Sequence, residues 1–277
     1  MAVDLTVQMI NATVQIDQPL GNGTRTVGTG FLVQAPTPDG QPRTVLITAG
    51  HVLNRMPNAD ARIGWRFQDA SGTWKYQPQP LQIRAYGKPL WTRHPTRDVV
   101  AIAVNAPPQF AQAAIPLSWL ADETSFDRYG IGVGDEMLAL GYPEGLASNR
   151  AGFPILRVGR LASYPLSPVR EFPTFLLDFR VFPGNSGGPV FTTVGLRRGP
   201  QATAEDPPQL VVGVLTQQTA IDDERLEIGI VTHAAFVREV IAQLDQAAAP
   251  PQPAPAPPDP RPAGAGSGAA HERAAPP

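Results

Sequence analysis

The sequence predicts an all-β chain: two sets of short strands, each a barrel or sandwich, with a C-terminal helix. Three observations carry this. Short runs rich in Val, Ile, Leu, Phe and Thr, broken by turn residues, follow one another from residue 5 to residue 231. The proline-bearing stretch from Ala106 to Pro116 separates them into two sets. Only His233 to Gln246 shows convincing helical periodicity, with Phe236, Val237, Val240, Ile241 and Leu244 on one face and Thr232 placed to cap it.

In chain order, Leu5 to Ile16 is rich in Val, Thr and Ile with imperfect alternation, and Gly21-Asn22-Gly23 follows as a tight turn, so a strand and hairpin are expected. Thr26 to Val33 continues as a strand whose glycines signal close packing or a bulge. After Pro38-Asp39-Gly40, the apolar run from Thr44 ends in Ala49 and Gly50 immediately before His51, which places an imidazole at a barrel rim with space beside it. Further strands are expected at Arg62–Phe67, Trp74–Tyr76 and Leu81–Tyr86, and Asp98 heads the apolar run to Val104. The second set lies at Glu136–Pro143, Ile155–Val158, Thr174–Phe179, Val190–Val194, Leu210–Leu215 and Leu226–Val231. The expected division is 1–118 for the first barrel, 119–247 for the second barrel and helix, and 248–277 for a tail. That tail holds ten prolines and ten alanines, a composition for an extended or disordered tether to an unidentified partner.

Composition excludes several classes. Lys plus Arg is 22 against 24 Asp plus Glu, so there is no basic field for nucleic acid. Without cysteine there are no disulfides or thiol chemistry, and four histidines without HxH or HxxxH spacing argue against a metal or other cofactor. No run of eighteen apolar residues and no signal-like start is present, so no membrane partner is expected and the location expected is cytoplasmic.

The stretch Pro183-Gly184-Asn185-Ser186-Gly187-Gly188-Pro189 reads either as an ordinary surface turn or as a nucleophile loop. In the second reading, a bend at Gly184 aims the amides of Gly184 and Ser186 at one point, where negative charge develops on an attacked carbonyl. The same letters fit a strand-to-helix nucleophile elbow, but Gly187, Gly188 and Pro189 are poor helix formers and lead into a strand. His94 reads as a surface loop residue, His233 as a helix start, and His271 lies in the tail.

With His51, Asp98 and Ser186 in that order, Thr48-Ala49-Gly50-His51, Asp98 to Ile102 and Gly184 to Pro189 together resemble the three signature segments of the chymotrypsin/trypsin-like serine protease superfamily. Gly28-Thr29-Gly30-Phe31, Leu140-Gly141-Tyr142-Pro143, Asp178 and Asn185 make it most similar to bacterial proteases of the high-temperature-requirement type, although a Pro/Ala-rich tail cannot form the PDZ domain those carry. The resemblance implies an all-β fold of two packed six-stranded antiparallel Greek-key β-barrels, chymotrypsin-like, with a C-terminal helix, and a trypsin-like serine endopeptidase: Ser186 as nucleophile, His51 as base, Asp98 orienting the imidazole, and the Gly184 and Ser186 amides as oxyanion hole. It also implies a peptide bound as an added β-strand along Thr216-Gln217-Gln218. Arg180, Val181, Phe182, Thr216, Gln217, Gln218 and Gly229 are expected around the primary pocket, which takes a small or medium apolar side chain, or an acidic one if Arg180 points inward. Asn185 cannot form the buried ion pair of zymogen-activated relatives, so N-terminal cleavage is not expected to be a switch. A non-catalytic peptide-binding module and a serine esterase remain alternatives on the same scaffold. Leu196 to Pro208 is expected to be a passive exposed loop.

Overall fold

The computed structural model describes residues 5–21, 23–192, 210–221 and 224–248; the expectations for the 196–208 loop and for the tail beyond Ala248 lie outside them. The chain opens with a helix, α1 (Leu5–Ala12), where a strand was expected. Leu5, Met9 and Ala12 are its buried positions, four and three residues apart, so the imperfect alternation is a helical stripe. The buried Arg66 guanidinium closes the helix end by donating to the carbonyls of Ile10 at 3.0 Å, Asn11 at 2.9 Å and Thr13 at 2.6 Å.

β1 (Thr13–Pro19), β2 (Arg25–Pro36) and β3 (Pro42–Thr48) form an antiparallel meander, with Gly21 and Gly23 in the left-handed region at the first turn. Helix α2 (Gly50–Asn54), β4 (Asp60–Gln68) and β5 (Trp74–Gln82) follow, then the two-residue strands β6 (Arg84–Ala85), β7 (Lys88–Pro89) and β8 (Thr92–Arg93), and β9 (Val100–Ala103). Helix α3 (Pro108–Ala111) and β10 (Ile115–Pro116), which pairs in parallel with β2, cross to the second half. There α4 (Ser125–Tyr129) precedes β11 (Glu136–Gly141), β12 (Ile155–Leu161), β13 (Thr174–Asp178), β14 (Pro189–Thr192), β15 (Leu210–Ile221) and β16 (Glu224–His233), and α5 (Ala235–Ala248) ends the described chain.

The second half is a closed barrel in the order β11-β12-β13-β16-β15-β14. The first half is an eight-stranded sheet along β5-β4-β1-β2-β3-β9-β8, with β10 beside β2. Six of its strands repeat the cyclic order of the second barrel, β1-β2-β3-β9-β5-β4, except that no ladder joins β9 to β5 among the described residues. The two halves are therefore the expected pair of barrels, one closed and one laddered on all sides but one. Pro78 and Pro80 in β5 explain that seam, because proline brings no N–H to a ladder.

β2 and β3 are buried on both faces, which is why their sequences are nearly unbroken apolar runs. Leu32 and Leu46 point into the first barrel with Ile16, Ile63 and Ile102, while Phe31, Val33, Val45 and Ile47 point the other way and join the core of the second half. Burying each such side chain is worth about 1.5–3 kcal/mol. The two halves consequently share their main apolar contact along the strands that lead to His51.

Two histidine expectations are corrected. His94 is 5% exposed and not on the surface: α5 covers its loop, the Nε2–Glu239 Oε2 distance is 3.1 Å, and its ring meets Phe236 edge-on at 5.3 Å. Thr232 and His233 belong to β16 and the helix starts two residues after His233, so Thr232 caps nothing; its hydroxyl instead meets that of Thr216 at 3.2 Å. Among the described residues no helix is long and apolar enough to cross a membrane.

His233 is 1% exposed and lies between the rings of Phe126 and Phe175, at 4.7 and 4.9 Å. Burial pushes its pKa down to about 4, against the opposing pull of a main-chain hydrogen bond at Phe172. The unfolded chain binds a proton near pH 6.5 that the folded chain refuses until about pH 4, so this group lowers stability as pH falls through that window, by up to about 3 kcal/mol. Urea midpoints measured at pH 6.5 and 4.5 should therefore drop further for the wild type than for His233→Asn; equal drops would refute this assignment.

Candidate active site

The end of β3 and the start of α2 place His51. Ala49 is extended at φ −75° and ψ 140°, and Gly50 opens the helix, so the chain lifts off the sheet at the histidine. A Cβ on Gly50 would stand 2.8 Å from Asp98 Oδ1, so glycine is what lets the carboxylate close in. His51 N–H donates to Asp98 Oδ1 at 3.0 Å, His51 Nδ1 lies 2.5 Å from Oδ2, and Gly50 N–H donates to the Asp98 carbonyl at 3.3 Å. The carboxylate fixes the tautomer with hydrogen on Nδ1 and leaves Nε2 to accept a proton. Burial alone would raise the Asp98 pKa, but the His51 hydrogen bonds, the His51 charge and Arg93 outweigh it and hold it below its ordinary value.

Ser186, half-buried, sits on the loop that opens β14. Gly184 and Gly187 take φ +93° and +89°, a region that favours glycine. A Cβ on Gly184 would lie 2.2 Å from the Tyr142 carbonyl oxygen, and one on Gly187 would lie 2.0 Å from the Thr29 carbonyl oxygen, 2.2 Å from Thr48 Oγ1 and 3.0 Å from the Ala49 nitrogen. The residue after Ser186 is thus pressed against the segment that ends two residues before His51. Segments far apart in sequence meet here.

Hydrogen-bond accounting in this loop separates the amides into two groups. Asn185 N–H donates to Phe182 at 3.1 Å, Gly187 N–H to Leu215 at 2.7 Å and Gly188 N–H to Asn185 at 3.0 Å. Among the described residues the amides of Gly184 and Ser186 donate to no protein acceptor. The carbonyls that share their peptide planes are both held, Pro183 by Glu144 N–H at 2.6 Å and Asn185 by Gly188 N–H. A trans peptide points its N–H opposite to its C=O, so tying down these carbonyls turns the Gly184 and Ser186 donors the other way. Free, oriented amides beside a hydroxyl are suited to a developing oxyanion.

Of the expected pocket residues, Val181 is buried and Phe182 half-buried, whereas Arg180 does not point inward. Its side chain is 59% exposed, pairs with Glu227 at 3.1 Å and lies over Phe182 at 5.5 Å. A Cβ on Gly229 would meet Val181, Leu215 and Phe179 at 3.0, 3.1 and 3.4 Å, so these apolar groups crowd together there. The last β14–β15 rung is Pro189↔Val214, while Gln217 and Gln218 pair with Ile230 and Gly229 on the β16 side. Thr216 to Gln218 therefore present one unladdered edge among the described residues. The Thr216 hydroxyl is turned inward to the Ile230 carbonyl at 3.3 Å.

Two features were not assigned a role from sequence. Thr29, fully buried, donates through its hydroxyl to the Gly184 carbonyl at 2.6 Å and through its amide to the Ser186 carbonyl at 2.9 Å. Glu144, a non-glycine residue at φ +51°, supplies the amide that holds Pro183. Only the glycines around Thr29 hinted at such a close approach. Asn185 is 2% exposed, and neither amide atom of its side chain has a partner among the described residues. No group of three His, Cys, Asp or Glu suited to a metal ion occurs among the described residues. A roomy cavity, about 420 Å³, lies away from this site, walled by Trp65, Phe110 and Trp74.

The model of the trypsin-like peptidase domain matches residues 28–196, more than half of the 277-residue chain. No curated protein matches. Among solved structures, the HtrA-type protease AlgW with a tripeptide is similar at TM-score 0.54 and 15% identity, covering 88% of this chain and 63% of its own. The serine endoprotease from Yersinia pestis gives 0.50 and 16%, with 89% and 68% covered. The protease Anisep from Arthrobacter nicotinovorans gives 0.50 and 14%, with 85% and 96% covered. These likenesses concern the fold, and the chain spans less than two thirds of AlgW.

The fit at Gly187 has a measurable consequence. Gly187→Ala adds both backbone strain and a collision with main chain, a cost of roughly 2–5 kcal/mol. Gly40→Ala has a similar φ, +82°, but nothing within 4 Å of the new methyl, and should cost about 1 kcal/mol. Chemical denaturation should show this difference, and equal losses would contradict the packing described.

Proposed function

The chain belongs to the trypsin-like peptidase family, and from that premise we propose that it is a serine endopeptidase acting through His51, Asp98 and Ser186. The observation that carries this reading is the His51–Asp98 pair at 2.5 Å, set against a serine loop whose Gly184 and Ser186 amides have no other acceptor. Residues 1–118 supply the base and its carboxylate, and residues 119–247 supply the nucleophile.

His51 Nε2 takes the Ser186 hydroxyl proton as Oγ bonds to the scissile carbonyl carbon, and the carbonyl electron pair moves onto oxygen, facing the two free amides. His51 then gives that proton to the leaving amine as the C–N bond breaks. Water repeats the sequence on the acyl-enzyme, with His51 again as base. Asp98 stays ionised and stabilises the imidazolium; its lowered pKa suits that role.

The substrate lies extended along the open Thr216–Gln218 edge, and its side chain enters the apolar surroundings of Val181, Leu215 and Gly229. These walls are apolar and closely set, which suits a small apolar group. With Arg180 paired outside to Glu227, its guanidinium is not turned toward an acidic side chain in the pocket.

A fluorophosphonate probe should label Ser186 in the wild type and fail to label His51→Ala, with mass spectrometry locating the adduct. Labelling that persists without His51 would overturn the base assignment. Failure of the wild type to label would favour a non-catalytic peptide-binding module, and hydrolysis of small esters alone would favour an esterase. Asp98→Asn should fold normally and lose on the order of 10⁴ in kcat. For specificity, Arg180→Ala should leave the ranking of cleaved peptides unchanged, whereas Gly229→Val should reduce cleavage after Val by at least about tenfold relative to Ala, as the pocket loses volume. Peptide-library profiling checks both, and a ranking reshaped by Arg180→Ala would refute the apolar pocket.

A further inference from the structure

We propose that Thr29 is a positioning residue for the oxyanion site, so that the first barrel, through one hydroxyl, sets the geometry of an amide on the second. This rests on the peptidase reading above. Thr29 lies in β2, 0% exposed, and its side chain reaches a carbonyl 155 residues further on. The Tyr142 amide donates to Thr29 Oγ1 at 3.1 Å, so the hydroxyl's own hydrogen is committed to Gly184 O at 2.6 Å. The main chain of Thr29 is committed as well, its N–H to Ser186 O at 2.9 Å and its carbonyl to the Thr48 hydroxyl at 2.6 Å. A β-branched side chain with few rotamers suits a fixed bond of this kind.

The geometry explains why the bond matters. Gly184, at φ +93°, has the wide conformational choice of a glycine, and its amide is one of the two free donors. The peptide before it is anchored by Pro183 O on Glu144 N–H, and the peptide after it by Gly184 O on Thr29 Oγ1. With both planes clamped, the Gly184 N–H keeps its direction. Without the Thr29 hydroxyl, the second plane keeps only the Asn185 N–H bond to Phe182 as an anchor and gains freedom to tilt about it, and the Gly184 donor tilts with it. No bond in this clamp involves a charged chain terminus. The neutral, unpartnered Asn185 side chain is consistent with a loop held from outside by neighbouring backbone and hydroxyl groups rather than by an ion pair at residue 185.

The test compares Thr29→Val, which removes the hydroxyl at nearly constant shape, with Thr29→Ser, which keeps it. Three readouts are taken: kcat on a cleaved peptide, inhibition by the matching peptide aldehyde, and affinity for the non-covalent product peptide. The aldehyde forms a bond from Ser186 Oγ to its carbonyl carbon, placing an oxyanion on the amides with the serine proton on His51. Thr29→Val should lower kcat and weaken the aldehyde by about 10²-fold each, while product affinity changes by less than about threefold. Thr29→Ser should stay within about threefold of wild type throughout. If Thr29→Val does not fold, Thr29→Cys supplies a weaker donor of similar size and should fall between the two. Thr29→Val matching Thr29→Ser, or aldehyde and product weakening together, overturns the positioning role alone. A wild type that binds no aldehyde overturns the peptidase reading, and this proposal with it.

Discussion

The constraint on which the molecule depends is the seating of the serine loop against the ends of β2 and β3. At Gly187 the approach is so close that only a hydrogen fits between the loop and Thr29, Thr48 and Ala49. That seat joins two halves, one carrying the imidazole and carboxylate and the other the hydroxyl of the proposed site. Glycine is costly for folding because it is free in the unfolded chain, yet here any substitute would hold the halves apart. The apolar contact behind the seat, from Phe31, Val33, Val45 and Ile47, stabilises the approach without directing it. Direction comes from hydrogen bonds, chiefly those of Thr29.

The same economy governs the histidine. His51 does not rely on its ring alone to find Asp98, because its own amide and that of Gly50 also bind that residue. Three bonds to one aspartate restrict rotation and translation together, so the imidazole is held in one orientation. α5 contributes from the far side, where Glu239 meets the buried His94, four residues ahead of Asp98. Elements from both halves of the chain thereby bear on one short loop.

Much of this was legible in the sequence because it is local. Small residues before His51, an aspartate heading an apolar strand and glycines flanking Ser186 each describe their own backbone. The apolar runs of β2 and β3 likewise announced strands. What escaped was decided by distant partners. The Leu5–Ala12 segment has the β-branched content of a strand, yet its Leu5-Met9-Ala12 stripe and the Arg66 guanidinium make it a helix. His94 looked exposed because the helix that covers it lies 145 residues away. Arg180 was ambiguous because its partner, the exposed Glu227, lies on a distant strand. A hydroxyl such as that of Thr29 has no sequence signal beyond its glycine neighbours, since its acceptor is on another barrel.

The seam between β5 and β9 bears on how the protein behaves in a crowded solution. The ladder of β5 with β4 runs unbroken from Asp60↔Gln82 to Gln68↔Trp74 across Pro78 and Pro80, so the donors these prolines lack are missing from the outer edge. An open barrel margin would ordinarily invite a stray strand, from a second molecule or from an unfolded chain, to add itself. Here the margin offers an interrupted row that no regular strand can match. The edge left by the incomplete ring is thus a poor template for a further strand.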